Sequence, residues 1–184
     1  DNLGFKVTAR DFFHETPVYY AAQEGRLSVL KYLIEEKSGS LDVKSKAGNT
    51  LLHAAAGCGR KLDVEEHRLI DYNEGWWKMQ EYQDLRENVW ESIEKEKDSR
   101  RPKGDFEDAA VMRFLIDDHK MINRIDEVNH FKQTAASKAA HCGQLATLKY
   151  LLDEKQANTT IVDWQGRNLL HVAIIGNRLP IVKY

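Results

Sequence analysis

This 184-residue sequence has only two cysteines and three prolines, and it lacks a long apolar run. Two cysteines are too few for the disulfide framework of a small secreted domain, so we expect a reducing, cytoplasmic setting. Crossing a bilayer takes about 20 consecutive apolar residues, and without such a run no direct membrane insertion is expected. The formal net charge of −2 provides no overall attraction to nucleic acid. The composition therefore disfavours membranes and nucleic acid as partners.

One pattern recurs along the chain. Thr16 opens a short helical segment rich in alanine, Gly25 interrupts it, and a second apolar segment follows. The pattern returns at Thr50, Thr134 and Asn168, with a spacing of 34 residues from Thr16 to Thr50 and again from Thr134 to Asn168. Repetition at such a period predicts an array of stacked units, because one unit alone cannot bury its apolar face.

The residues of this pattern identify a family resemblance. Thr16-Pro17 and the run Thr50-Leu51-Leu52-His53-Ala54 resemble the T-P-L-H-x-A signature of the ankyrin repeat. The resemblance implies an all-α solenoid of stacked helix pairs, joined by short finger hairpins. It predicts helices near 17–24, 27–36, 51–58, 109–118, 135–142, 145–153 and 169–175.

The resemblance also divides the chain into units. It predicts repeats at 11–44, 45–128, 129–162 and 163–184, the last one incomplete, with residues 1–10 closing a preceding repeat. We therefore expect the chain to be an internal slice of a longer array.

The second unit carries an insertion, predicted at 61–105, between its two helices. The insertion contains Trp76, Trp77 and Trp90, and its nine Lys and Arg residues stand against thirteen Asp and Glu. Apolar residues recur every three or four positions across 76–93, which indicates an amphipathic helix. Insertions in repeat proteins often lie on the binding face. The insertion is therefore either a second partner-binding element or a cover for the solenoid.

A glycine position in the fingers departs from the family pattern. Gly48 and Gly166 match the family, whereas His14 and Lys132 replace the glycine in the other two fingers. The departure at His14 matters because this position favours a left-handed backbone, which glycine reaches at little cost.

Candidate partner-binding residues follow from the resemblance. In ankyrin proteins the finger tips and the adjacent inner-helix positions form the concave surface that contacts other proteins. Large exposed aromatic residues are typical anchors of such interfaces; the alternative is that these rings pack against neighbouring fingers. The tip residues are Phe12, Phe13, Lys46, His130, Phe131, Trp164 and Gln165, and the inner-helix residues are Gln23, Glu24, His141 and Ile175.

The candidates for chemistry are few. By resemblance, His53 and His171 bond to the backbone of a neighbouring finger. Packed helices lie about 8–10 Å apart and a disulfide needs Cα atoms within about 7 Å, so we expect no bridge between Cys58 and Cys142. A zinc site that includes His141 lacks the usual C-x-x-C spacing. We therefore expect no catalytic, cofactor-binding or metal-binding residues.

The sequence favours a non-enzymatic scaffold that binds a protein or peptide through the concave face, with the tryptophan-rich insertion as a second candidate surface. The alternative is a regulatory or targeting segment of a larger enzyme, channel or host-directed effector whose active part lies outside this chain.

The amphipathic stretch 76–93 generates a first testable prediction. Burial of one large apolar side chain contributes about 1.5–3 kcal/mol, so several together should hold this stretch as a docked helix. Hydrogen exchange on the isolated protein should show protected amides across 76–93. Rapid exchange there would mean that the stretch does not dock within the chain.

Overall fold

The computed structural model describes residues 6–57 and 109–184. Within these ranges the regular elements are helices, with no strand, arranged as four pairs of an inner and an outer helix. The inner helices are α1 (Pro17–Gln23), α3 (Leu51–Ala56), α5 (Ala135–Cys142) and α7 (Leu169–Ile175), and the outer helices are α2 (Leu27–Lys31), α4 (Ala110–Arg113), α6 (Leu145–Lys149) and α8 (Leu179–Lys183).

The first three outer helices continue without interruption into π-helical segments. These are Tyr32–Glu36, Phe114–Asp118 and Tyr150–Glu154, and a 3₁₀ turn, Met121–Arg124, follows the second of them. The predicted all-α array of helix pairs is confirmed, with most boundaries within one or two residues. Helix α3 ends earlier than predicted, because Gly57 adopts an extended backbone with ψ of 169°. The predicted helical insertion lies outside the described residues.

The sequence determines where each inner helix begins. The side-chain oxygens of Thr16, Thr134 and Asn168 accept the N–H three residues further on, at 3.1–3.2 Å. Such a cap satisfies one of the N–H groups that have no partner in the first turn of a helix. Pro17 follows its cap directly, at the position where the missing N–H costs nothing.

The core lies between successive helix pairs. Helix α1 packs on α3, α3 on α5, and α5 on α7, and α3 also contacts α4 although residues 58–108 separate them in the chain. Ala22, Ala56 and Ala140 occupy equivalent positions on three inner helices and are fully buried. Alanine has no side chain beyond Cβ, so the inner helices can approach one another closely.

Polar contacts also join the outer sides of the second and third pairs. Arg113 donates two hydrogen bonds to the carboxylate of Glu154, at 2.9 and 2.5 Å, and its guanidinium carbon lies 4.4 Å from the ring centre of Tyr150. Lys155 forms an ion pair with Asp117 at 2.5 Å. These contacts align the two outer helices.

Each inner helix is preceded by a tight hairpin, which we call a finger: residues 11–15, 45–49, 129–133 and 163–167. The first residue of each finger donates its N–H to the carbonyl of the fifth, at 2.9–3.1 Å. The fourth residue has a left-handed backbone in every finger, with φ of 61° at His14, 78° at Gly48, 56° at Lys132 and 75° at Gly166. His14 and Lys132 therefore adopt the left-handed backbone that glycine reaches at the lowest cost.

The left-handed conformation of Lys132 generates a second prediction. A residue other than glycine loses about 1–2 kcal/mol in this conformation, and the greater freedom of glycine in the unfolded chain offsets part of the gain. The substitution Lys132→Gly should raise the free energy of unfolding by about 0.5–1 kcal/mol, measured by urea denaturation.

The matched control is Gln165→Gly, at an exposed finger position outside the left-handed region. This control should not stabilise the protein, because no backbone strain is relieved there. Equal stabilisation by both substitutions would contradict the strain at Lys132.

Candidate functional site

The finger tips form one continuous edge. The N–H of Lys46 donates to the carbonyl of Phe13 at 2.8 Å, that of His130 to Ala47 at 3.0 Å, and that of Trp164 to Phe131 at 3.1 Å. One backbone hydrogen bond therefore links each finger to the next. Because these bonds join equivalent positions, the tip side chains lie side by side along the array.

The first two tips pack partly on each other. The rings of Phe12 and Phe13 meet edge to face with their centres 5.3 Å apart, and Nζ of Lys46 lies 4.7 Å from the centre of the Phe12 ring. Phe12 nevertheless remains 48% exposed. Packing between neighbouring fingers and exposure to solvent are thus both present at this end.

The third and fourth tips are more open. His130 and Gln165 are exposed, Phe131 is half-buried, and Trp164 is 55% exposed. The His130 ring lies against the second finger, since a Cβ at Gly48 would come within 2.7 Å of Cδ2 of His130. The largest accessible aromatic surface of the fingers is therefore the indole of Trp164.

The inner-helix candidates differ in accessibility. Ile175 is 54% exposed, and Glu24 and His141 are half-buried. Gln23 is only 1% exposed, so the structure does not place its side chain on an accessible surface. Trp76, Trp77 and Trp90 lie outside the described residues.

The aspartate carboxylates at the start of the first and fourth fingers form hydrogen bonds within the fold. One oxygen of Asp11 accepts the N–H groups of Phe13 and Glu15, and the other accepts the hydroxyl of Tyr20 at 2.6 Å. Burial, followed by this hydrogen bond, raises the pKa of Tyr20.

Asp163 makes the equivalent contacts in the fourth finger. Burial alone would raise the pKa of Asp163, but the N–H groups of Gln165 and Arg167 and the guanidinium of Arg167 hold this pKa below its usual range. Its charge is therefore compensated inside the finger.

The described residues contain neither a candidate metal site nor a candidate membrane span. In the ranges 6–57 and 109–184, no group of three His, Cys, Asp or Glu side chains is arranged to hold a metal ion. None of the helices in the same ranges is both long and apolar enough to cross a bilayer.

The cysteine prediction was wrong for Cys142, which is disulfide-bonded. The other cysteine in the sequence, Cys58, lies outside the described residues. An average spacing between helix axes does not limit the distance between individual side chains, so it could not exclude a disulfide at Cys142. The disulfide also removes the cysteine-based reason for expecting a reducing compartment.

A comparison with protein-family models agrees with this geometry. The model for ankyrin repeats, in three copies, matches residues 3–66 and 105–184. The chain belongs to the ankyrin repeat family. A search of curated proteins found the potassium channel SKOR of Arabidopsis thaliana, 39% identical over 62 residues. That match covers 34% of this chain and 7% of the channel, so it relates about a third of this chain to a small part of that protein.

The signature histidine of the second ankyrin repeat has the role that the resemblance implied. Nε2 of His53 lies 2.8 Å from the carbonyl oxygen of Gln133 in the next finger, and Nδ1 accepts the N–H of Thr50 at 3.3 Å. With Nδ1 as acceptor, the neutral ring carries its proton on Nε2 and donates to Gln133. His171 is exposed, and its Nδ1 lies 2.6 Å from Oδ1 of Asn168.

Two ankyrin contacts were missed from the sequence. The side-chain amide of Gln144 donates to the carbonyl of Gly57, and Nε of Arg178 donates to the carbonyl of His141 at 2.9 Å. Both donors lie just before the outer helix of their own repeat. Each bonds to a carbonyl at the end of the inner helix of the preceding repeat. A long polar side chain recurs at this position of the repeat, as Arg26, Gln144 and Arg178. This recurrence could have indicated the contacts from the sequence.

The buried His53 generates a third prediction. Burial, and then the positive charge of Lys138, lower the pKa of His53 to about 4, whereas an unfolded histidine titrates near 6.5. Between pH 6.5 and 4 the unfolded chain binds a proton that the folded chain does not, so stability falls as pH falls.

Denaturation at several pH values measures this effect. From pH 7 to about 4.5, His53→Gln should lose less stability than the native protein, by about 2–3 kcal/mol. The exposed His171→Gln is the matched control and should keep the native slope. An unchanged slope in His53→Gln would contradict the assignment.

Proposed function

We propose that this ankyrin array is a non-enzymatic scaffold that binds a protein or peptide through its concave face. Ankyrin repeats generally act as protein-interaction modules. The observation that carries the proposal is the continuous edge of finger tips, linked by backbone hydrogen bonds and bearing exposed aromatic side chains at Phe12 and Trp164.

Three properties of this edge suit an interface. The rings have few rotatable bonds, so ordering them against a partner costs little entropy. The backbone hydrogen bonds between fingers fix the spacing of the tips before any partner arrives, which favours binding by preorganisation. The exposed Ile175, the last residue of α7, is a further apolar side chain of the fourth repeat.

A second candidate is a regulatory or targeting segment of a larger protein whose active part lies outside these residues. The observation that favours it is the match to a short part of the potassium channel SKOR. The coding sequence on both sides of this chain tests it directly, because a channel or enzyme domain in the same reading frame would be expected.

The concave face generates a fourth prediction. Affinity capture with the intact array should recover a protein partner, and so should capture with an array from which 61–105 is deleted. The affinity of that partner is then measured for the native array and for its variants. Phe13→Ala, Phe131→Ala and Trp164→Ala should each weaken binding by about 1–3 kcal/mol, the range of an interface anchor. The most exposed ring, Trp164, should have the largest effect.

The matched control is Tyr32→Ala, an aromatic residue that is 45% exposed in the π-helical segment after α2. Its removal should leave the affinity unchanged, because it lies on an outer helix. Circular dichroism verifies that each variant keeps its helicity. Native affinity in all three finger variants would move the binding site elsewhere.

A further inference from the structure

We propose that the tip of the third finger, around Lys132, holds an acidic segment of the partner. This inference rests on the proposed function and adds the chemical class of the ligand. The three arguments are the strained backbone of Lys132, the charge of the second and third fingers, and the aromatic side chains beside them.

The lysine adds nothing to the turn that contains it. The N–H of Lys132 donates to the carbonyl of Asn129 at 3.0 Å, and the N–H groups of Gly48 and Gly166 make the equivalent bonds at 2.9 Å. The finger closes in the same way with either residue, yet Lys132 adopts the conformation that favours glycine, with φ of 56°. Strained residues of this kind concentrate at ligand-binding sites.

The charge around Lys132 is positive. The second and third fingers contain Lys46 and Lys132 and no acidic residue, because Ser45 and Asn129 occupy the position that is aspartate in the other two fingers. His130 and Lys132 are exposed. This local excess contrasts with the net charge of −2 of the whole chain.

The nearest carboxylate in sequence does not cancel this charge. Glu127 forms an ion pair with Lys44 and accepts a hydrogen bond from Nε of Arg124 at 2.7 Å. The hydrogen bond from Arg124, opposed in part by burial, holds the pKa of Glu127 below its usual range. The carboxylate of Glu127 is therefore already paired with Lys44 and Arg124.

Apolar side chains adjoin the positive tip. Phe131 precedes Lys132 and is half-buried, and the exposed Trp164 is joined to Phe131 by a backbone hydrogen bond of 3.1 Å. A ligand that fits both features carries carboxylates interspersed with apolar side chains. An acidic peptide segment of a protein has this chemistry.

The test uses three fluorescein-labelled peptides of about twelve residues, long enough to span neighbouring fingers. Leucine occupies every third position, and the remaining positions are all Glu, all Gln or all Lys. Fluorescence anisotropy should show the Glu peptide binding at least about tenfold more tightly than the Lys peptide, with a preference that weakens as salt rises.

Lys132→Gln should weaken the Glu peptide about two- to fivefold, the scale of one exposed charge pair, and should leave the Gln peptide unchanged. Lys120→Gln is the matched control, since Lys120 is also exposed and left-handed, with φ of 55°, but follows an outer helix. Lys132→Gly should weaken the Glu peptide while stabilising the fold. A purely structural lysine would not separate these two effects.

Equal affinity for the three peptides, equal effects of Lys132→Gln and Lys120→Gln, or no binding of the Glu peptide up to about 1 mM would each overturn the inference. Trp164→Ala separates this failure from a failure of the proposed function. If the three peptides bind equally and Trp164→Ala weakens all of them, the concave face binds peptides without preference for acid. If Trp164→Ala leaves a bound peptide unaffected, the proposed face is wrong as well.

Discussion

The array depends on contact between inner helices that are too short to be stable alone. Helices α1, α3, α5 and α7 contain seven, six, eight and seven residues, whereas an isolated helix is marginal in water below about 12–15 residues. Each helix gains stability by burying its alanine-lined side against its neighbours. Stability in such an array includes terms between adjacent units, and the second and third fingers are each bonded to a finger on both sides.

The sequence was sufficient for most of the fold, because the 34-residue spacing aligns equivalent positions and reveals both the helix pairs and the replaced glycines at His14 and Lys132. The sequence was insufficient for features that depend on how deeply a side chain is buried or on where it points. Gln23 aligns with half-buried His141 and exposed Ile175, yet only Gln23 is fully covered. The disulfide at Cys142 depends on where one side chain points at the end of α5, which a repeat spacing does not specify.

The finger tips were the best-predicted part of the candidate site. Their positions follow from the repeat, and the structure places Phe12, His130 and Trp164 on one exposed edge. The sequence shows that lysine replaces a glycine at position 132, but only the structure shows that Lys132 has a left-handed backbone, with φ of 56°.

The bonds of the third finger limit how freely this protein could be rebuilt from parts. The carbonyl of Gln133 is bonded to His53 from the preceding repeat, and that of Phe131 to the N–H of Trp164 from the following one. A gene segment that encodes this single repeat thus encodes one side of its interface with the preceding repeat and one side of its interface with the following repeat. It encodes neither interface completely. Shuffling of such segments, in evolution or in engineering, would preserve a binding tip only if both flanking repeats travelled with it.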